Sequence, residues 1–221
     1  MKLYLDSAEP AQWRASPGWP ALAGVTTNPS LVHQAGRAVN TETYLALIAQ
    51  AGQCGLPELM LQLPRASQAE AQACLAQWLP AAVAAQVQLT VKLPCHPEWA
   101  DALRCVQAHG VPVLLTGLSN ALQLLWAVDQ GARWVAPYLG RLQDDGRDVW
   151  ALVDACVALQ PQGTQLLAAS VRSPEVLARL VAAGAAAATV RPDVLQAWTH
   201  DPLTDAAIAQ FDADIAASEV V

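Results

Sequence analysis

The 221-residue chain is 54% hydrophobic and 14% charged, a balance that supports a large core and excludes a disordered polypeptide. Its formal charge of −7, without any basic block, excludes non-specific nucleic-acid binding and attraction to anionic membranes, yet leaves room for a small anion held by focused arginines. No apolar run reaches the roughly 18 residues of a membrane span.

The opening stretch MKLYLDSAEP alternates as a strand over 2–6 that ends on Asp6, and lacks the apolar centre of an export signal. Further strands are predicted at 24–28, 58–63, 88–93, 112–116, 133–138, 165–170 and 186–190. Alanine- and leucine-rich segments with helical spacing lie between them, over 41–51, 67–84, 97–108, 119–130, 148–159 and 174–183. Ser173-Pro174-Glu175 marks a helix start, with Pro174 as the first helical residue. His109-Gly110, Gln130-Gly131 and Ala183-Gly184 mark helix ends. A last helix over 205–217 follows the eighth unit and is expected to pack on a neighbouring subunit.

Strand and helix alternate eight times with no linker of shifted composition, which predicts one α/β domain over 1–221, a (β/α)8 TIM barrel with an extra C-terminal helix. The alternative is an open doubly wound sheet. It is weakened because no strand is followed by the GxGxxG turn of dinucleotide sites. Five cysteines, odd in number and without CxxC spacing, point to reduced thiols in the cytoplasm. The histidines His33, His96, His109 and His200 form no zinc-binding spacing. The eight tryptophans, Trp19 and Trp198 among them, suit packing and subunit contact better than a stacking platform. Cys95-His96 is disfavoured as a thiol–imidazole pair, since adjacent residues on an extended chain point apart. Asp144-Asp145-Gly146 is expected to sit in a loop before a helix N-terminus, where carboxylates oppose the helix dipole.

Lys92 poses the sharpest question, because the chain has only two lysines and this one stands inside the apolar strand QLTVKLP. Side chains on a strand alternate between faces, and in a barrel one face meets the helices and the other the interior. Sorting by parity assigns Leu89, Val91 and Leu93 to the helix face and Thr90 and Lys92 to the interior. Repeated on seven strands, with Leu167 and Ala169 placed outward on the seventh, the inner set ends in Asp6, Asn28, Gln62, Lys92, Thr116, Tyr138 and Ser170. Each lies at or near the C-terminal end of its strand, where barrel active sites are built. Convergence carries the reading. Singly, Asp6 would be a helix cap, Asn28 a turn residue and the lysine a strand-end charge reaching solvent.

An amine among apolar neighbours loses solvation of its charged form and becomes nucleophilic near neutral pH. Such a lysine can form a Schiff base with a carbonyl and act as an electron sink for cleavage of a nearby C–C bond. Asp6 and Tyr138 are available for the accompanying proton transfers. Arg141 and Arg172, in the loops after the sixth and seventh strands, suit a bidentate phosphate clamp, and Arg191 after the eighth is a third candidate.

The segments LYLDSAE, LAGVTTNPSL, TVKLP, VAPYLGRLQDDGRD and LAASVRSPEVL, in this order across almost the whole chain, resemble the motifs of the transaldolase family. That resemblance implies a Schiff-base Lys92, Asp6 as acid/base or orienting carboxylate, and Thr26 and Asn28 positioning the substrate. It also implies that Arg141, Ser170 and Arg172 hold its phosphate. Gln62 and Tyr138 resemble the short fructose-6-phosphate aldolases, where larger transaldolases carry Glu and Phe. In that subgroup a water held by the positions of Gln62, Thr116 and Tyr138, with the Tyr as acid/base, assists cleavage without a second sugar acceptor. Leu114 stands where the larger enzymes carry Asn. The stretch LLTGLS and the residue Arg191 depart from the subgroup.

The expected activity is cofactor-independent, metal-free aldol cleavage of fructose 6-phosphate to dihydroxyacetone and glyceraldehyde 3-phosphate. The alternatives are a transaldolase moving the dihydroxyacetone unit between sugar phosphates and a non-catalytic sugar-phosphate-binding protein. The expected partner is a small sugar phosphate, with no nucleic acid and no membrane. By resemblance the chain is expected to form a homo-oligomer, a pentamer or a decamer with C-terminal helices crossing between subunits.

Overall fold

Short β-rich runs punctuated by caps and glycines become eight parallel strands, and these close into one barrel in sequence order. The computed structural model describes residues 1–14, 21–196, 199 and 201–218, so Trp19, Trp198 and His200 lie outside the described residues. The strands are β1 (Lys2–Asp6), β2 (Gly24–Thr26), β3 (Glu58–Gln62), β4 (Gln88–Pro94), β5 (Val113–Leu118), β6 (Trp134–Pro137), β7 (Gln165–Val171) and β8 (Ala187–Val190). Helices α1 (Pro29–Gln34), α2 (Thr41–Gln53), α3 (Gln68–Ala85), α4 (Ala100–Ala108), α5 (Ala121–Asp129), α6 (Leu139–Asp144), α7 (Val149–Leu159), α8 (Pro174–Ala183), α9 (Pro192–Gln196) and α10 (Pro202–Ser218) connect or follow them. The fold is the expected (β/α)8 barrel with an additional C-terminal helix. None of the described helices is long and apolar enough to cross a membrane.

Local chemistry sets the boundaries. Asn40, Ser67, Asn120 and Ser173 each accept a backbone N–H at the start of α2, α3, α5 and α8. Gly110, Gly131 and Gly184 take the left-handed conformation that ends α4, α5 and α8. The expected β2 overran by two residues, because Asn28 caps α1 and Pro29 opens it. Helices α1, α6 and α9 have six, six and five residues, too few for an apolar period to emerge from sequence.

Parity holds on most strands. Leu5, Val25, Leu59, Leu61, Val91, Leu93, Val113, Leu115 and Val135 pack outward against the helices. Tyr4, Met60, Leu114, Trp134 and Ala136 fill the barrel. On β7 the expectation reverses: Leu167 and Ala169 face inward, while Ala168 belongs to the outer layer. The small residues of LLAASV fit either face, so the sequence carried no parity signal there. The register between β7 and β8 shifts between Ala168 and Val171, and Ser170 within that irregularity has φ of 57°. A non-glycine residue in this region costs of order 1–3 kcal/mol, which the surrounding fold must offset. Through this kink Ser170 still reaches the C-terminal mouth.

The barrel floor is polar and closed. Glu58 is buried and accepts from Tyr4 (2.7 Å) and from Thr90 (2.5 Å). Trp134 packs edge-on to Tyr4 at 6.3 Å, with Lys2 and Arg133 over its ring. Burial and the Glu58 carboxylate push the Tyr4 hydroxyl up, keeping it a donor. Gly24 is required here, because a Cβ would fall 2.9 Å from the Glu58 carbonyl carbon. Tyr4→Phe removes one donor from a buried carboxylate and is expected to cost about 1–3 kcal/mol of stability in urea unfolding. Wild-type stability would mean that the carboxylate finds another donor.

Candidate active site

Seven of the eight strands, all but β3, deliver residues to a cavity of about 220 Å³ at the C-terminal mouth, and Lys92 is among them. Lys92 is only 5% exposed, flanked by the outward-packed Val91 and Leu93. Its Nζ donates to the Thr27 carbonyl oxygen. It has no carboxylate ion-pair partner among the described residues. Burial therefore dominates and lowers its pKa from 10.5, with the more distant Asp6 pulling the other way.

Asp6 ends β1 half-buried, opposite Thr26 in the β1–β2 register. The Thr26 hydroxyl donates to Asp6 Oδ1 at 2.8 Å and meets the Thr189 hydroxyl at 2.6 Å. Asn28 Oδ1 is spent on the Leu31 N–H at the start of α1, while its side chain also lines the cavity. The Thr116 hydroxyl donates to the Tyr138 oxygen at 2.7 Å, which leaves the phenolic proton free to be given elsewhere. Burial raises the Tyr138 pKa, while the Thr116 hydrogen bond and Arg141 oppose that rise. The phenol is thus a protonated donor at neutral pH.

Three arginines stand at the rim. Arg141 lies over the Tyr138 ring at 4.7 Å. Arg172 makes a two-pronged bond to Asp144 (2.8 and 2.7 Å), and Arg191 makes one to Asp193 (3.0 and 2.6 Å). The Arg172 hydrogen bonds hold the Asp144 carboxyl below the usual range. Gly140 makes this geometry possible, since a Cβ there would lie 2.8 Å from Arg172 Cζ and 2.9 Å from the Ser170 carbonyl. Arg191 also lines a side groove of about 290 Å³ with Asp6, Glu9, Gln12 and Gln34.

The cavity wall thus includes Asp6, Thr26, Asn28, Lys92, Thr116, Tyr138, Arg141, Ser170, Arg172 and Arg191. Gln62 stands beside Lys92 in the β3–β4 register but is not among the lining residues. Thr189 escaped the sequence reading, although it sits two residues past the inward Ala187 on β8 and lines the cavity. That spacing was the available signal. Cys95 is buried, directs its thiol to the Gln123 carbonyl and is pushed up to about 12 by burial, while His96 faces solvent beside Glu98. Asp144 and Asp145 correct a further expectation in part. They lie shortly before α7, as expected, but at the C-terminal end of α6, where Arg172 and Arg147 pair with them, and it is Asp148 that caps α7. Among the described residues no three His, Cys, Asp or Glu gather to hold a metal ion.

A buried amine, a nearby carboxylate, a phenol and rim guanidiniums at the mouth of a (β/α)8 barrel define a site suited to carbonyl chemistry. The family model for Transaldolase/Fructose-6-phosphate aldolase matches residues 3–220. "Probable transaldolase 2" of Bacillus anthracis is 35% identical over 217 residues, covering 97% of each chain. "Probable transaldolase" of Thermus thermophilus is 33% identical over 219 residues, covering 96% of each. Among solved structures, one described as "Native KDPGal structure" superposes with a TM-score of 0.54 at 15% identity, covering 85% of this chain and 80% of that one, a likeness of fold alone. The chain belongs to the transaldolase/fructose-6-phosphate aldolase family and is an enzyme of the aldolase or transaldolase type.

The lowered Lys92 pKa has a consequence for stability. The unfolded chain holds a proton on this amine up to about 10.5, whereas the folded chain releases it at lower pH. Between the two values the unfolded state binds more protons, so stability rises with pH. The penalty for burying Lys92 is therefore full below the folded-state pKa and gone above 10.5. Lys92→Met is expected to raise Tm, most on the acidic side, with the gain shrinking as pH approaches 10.5. A pH-independent change in Tm would contradict this.

Proposed function

We propose that the protein is a Schiff-base aldolase that cleaves and forms fructose 6-phosphate, with dihydroxyacetone and glyceraldehyde 3-phosphate as the other partners. The observation that carries this reading is the Lys92 amine, buried in a cavity rimmed by arginines and without a carboxylate partner among the described residues. In the cleavage direction the amine attacks the C2 carbonyl, and the carbinolamine loses water to give an iminium. A base takes the C4 hydroxyl proton and the C3–C4 bond breaks. The aldehyde leaves, and the electron pair passes into the iminium to form an enamine. Protonation at C3 and hydrolysis return the amine and release dihydroxyacetone.

Asp6 and Tyr138 serve as the proton-transfer groups. Tyr138, its ring fixed by Thr116, gives its uncommitted proton to the water that leaves the carbinolamine, and the phenolate so formed takes the C4 hydroxyl proton. Gln62 and Thr116 hold the water that assists. Thr26 and Asn28 orient the substrate, and Arg141, Ser170 and Arg172 take its phosphate. The Arg172–Asp144 pair is exposed, so a phosphate can replace the carboxylate at little cost. No cofactor is needed.

A second reading is a transaldolase passing the dihydroxyacetone unit to another aldose phosphate. The relatives named "Probable transaldolase" favour it. A sugar-phosphate-binding protein without catalysis is the remaining alternative. We further propose a single-domain cytoplasmic enzyme that assembles as a pentamer or decamer. In support, α10 exposes Leu203, Ile208, Phe211 and Ile215 and buries no residue.

Borohydride reduction in the presence of fructose 6-phosphate, followed by peptide mass analysis, is expected to place the adduct on Lys92. Lys92→Met is expected to lose turnover while remaining folded. An adduct elsewhere, or none, would overturn the Schiff-base reading. Release of free dihydroxyacetone without an acceptor aldehyde supports the aldolase, and a strict need for acceptor supports the transaldolase.

A further inference from the structure

We infer that Thr189 is a positioning residue for Asp6, acting through the hydroxyl of Thr26. The inference rests on the aldol reading above, in which Asp6 transfers protons. Strands β2 and β8 flank β1 on either side. Thr26 is opposite Asp6 in one register and Thr189 is opposite Tyr4 in the other, so the two threonines approach each other across the inner face of β1. Both are nearly inaccessible to solvent, at 1% and 3% exposure, so bulk water does not compete for their hydroxyls.

The direction of the chain follows from counting protons. A carboxylate only accepts, and a threonine hydroxyl carries one proton. Thr26 gives its proton to Asp6 Oδ1 at 2.8 Å. The 2.6 Å contact between Thr26 and Thr189 therefore has Thr189 as donor. The order Thr189 to Thr26 to Asp6 aligns the O–H dipoles toward the carboxylate, and successive hydrogen bonds polarise one another. Thr189 also fixes the Thr26 rotamer that aims at Oδ1. Without it, the Thr26 hydroxyl can rotate toward another acceptor. The consequence falls on the proton-transfer step and not on anion binding, because the rim arginines take no part in this chain.

Thr189→Val keeps the shape and removes the donor, and Thr189→Ser keeps the donor. The Val enzyme is expected to lose kcat roughly tenfold with KM for fructose 6-phosphate within about twofold, and the Ser enzyme to recover most of kcat. Borohydride trapping on Lys92 is read alongside in all three proteins. Trapping in the Val enzyme with reduced kcat and Ser rescue supports the inference. Trapping with unchanged kcat, or Ser as impaired as Val, overturns it while leaving the Schiff-base reading intact. No trapping in the wild type overturns that reading itself. Should Val not fold, Thr189→Ala against Thr189→Ser gives the same contrast.

Discussion

The desolvation of one amine governs this molecule. Lys92 is held between outward-packed Val91 and Leu93, with its nitrogen inside the barrel and no carboxylate paired to it among the described residues. A charged ammonium in such a place would lose its hydration without an ion pair to replace it, so the neutral form gains. The barrel closure makes this possible. A strand in an open sheet could let the lysine stem reach water, whereas eight paired strands leave only the mouth.

The rest of the site is arranged so as not to undo that effect. Asp6 is close enough to oppose the fall in the Lys92 pKa but not to cancel it, and it is occupied by Thr26. The rim cations Arg172 and Arg191 are each matched by a carboxylate two or more residues away, which limits the positive field at the mouth when no anion is present. The buried Glu58 is satisfied by Tyr4 and Thr90 at the opposite end of the barrel. Polar groups below the cavity thus hold the floor together.

Much of this was legible in the sequence, and the failures have definite physical causes. The strand alternation around Lys92 was unambiguous because Leu89, Val91 and Leu93 are large and their neighbours are not apolar. On β7 the run of leucine and alanine fits both faces, and the kink at Ser170 depends on a backbone torsion that no residue type announces. Asp144 looked like a loop residue before a helix because the six-residue α6 is too short for an apolar period to repeat, and its partner Arg172 is 28 positions away in sequence. Thr189 was overlooked because one hydroxyl in an alanine-rich strand looks inert until the register brings it beside Thr26.

Because the chain has only two lysines, the central claim can be measured directly. Lysine labelled at Cε gives two NMR signals, and Lys92→Met assigns them. The Lys92 signal is expected to titrate below 10.5 in the folded, ligand-free enzyme. Titration of that signal at or above 10.5 would mean that the amine is charged in its resting state, and the explanation of the site from burial would fail.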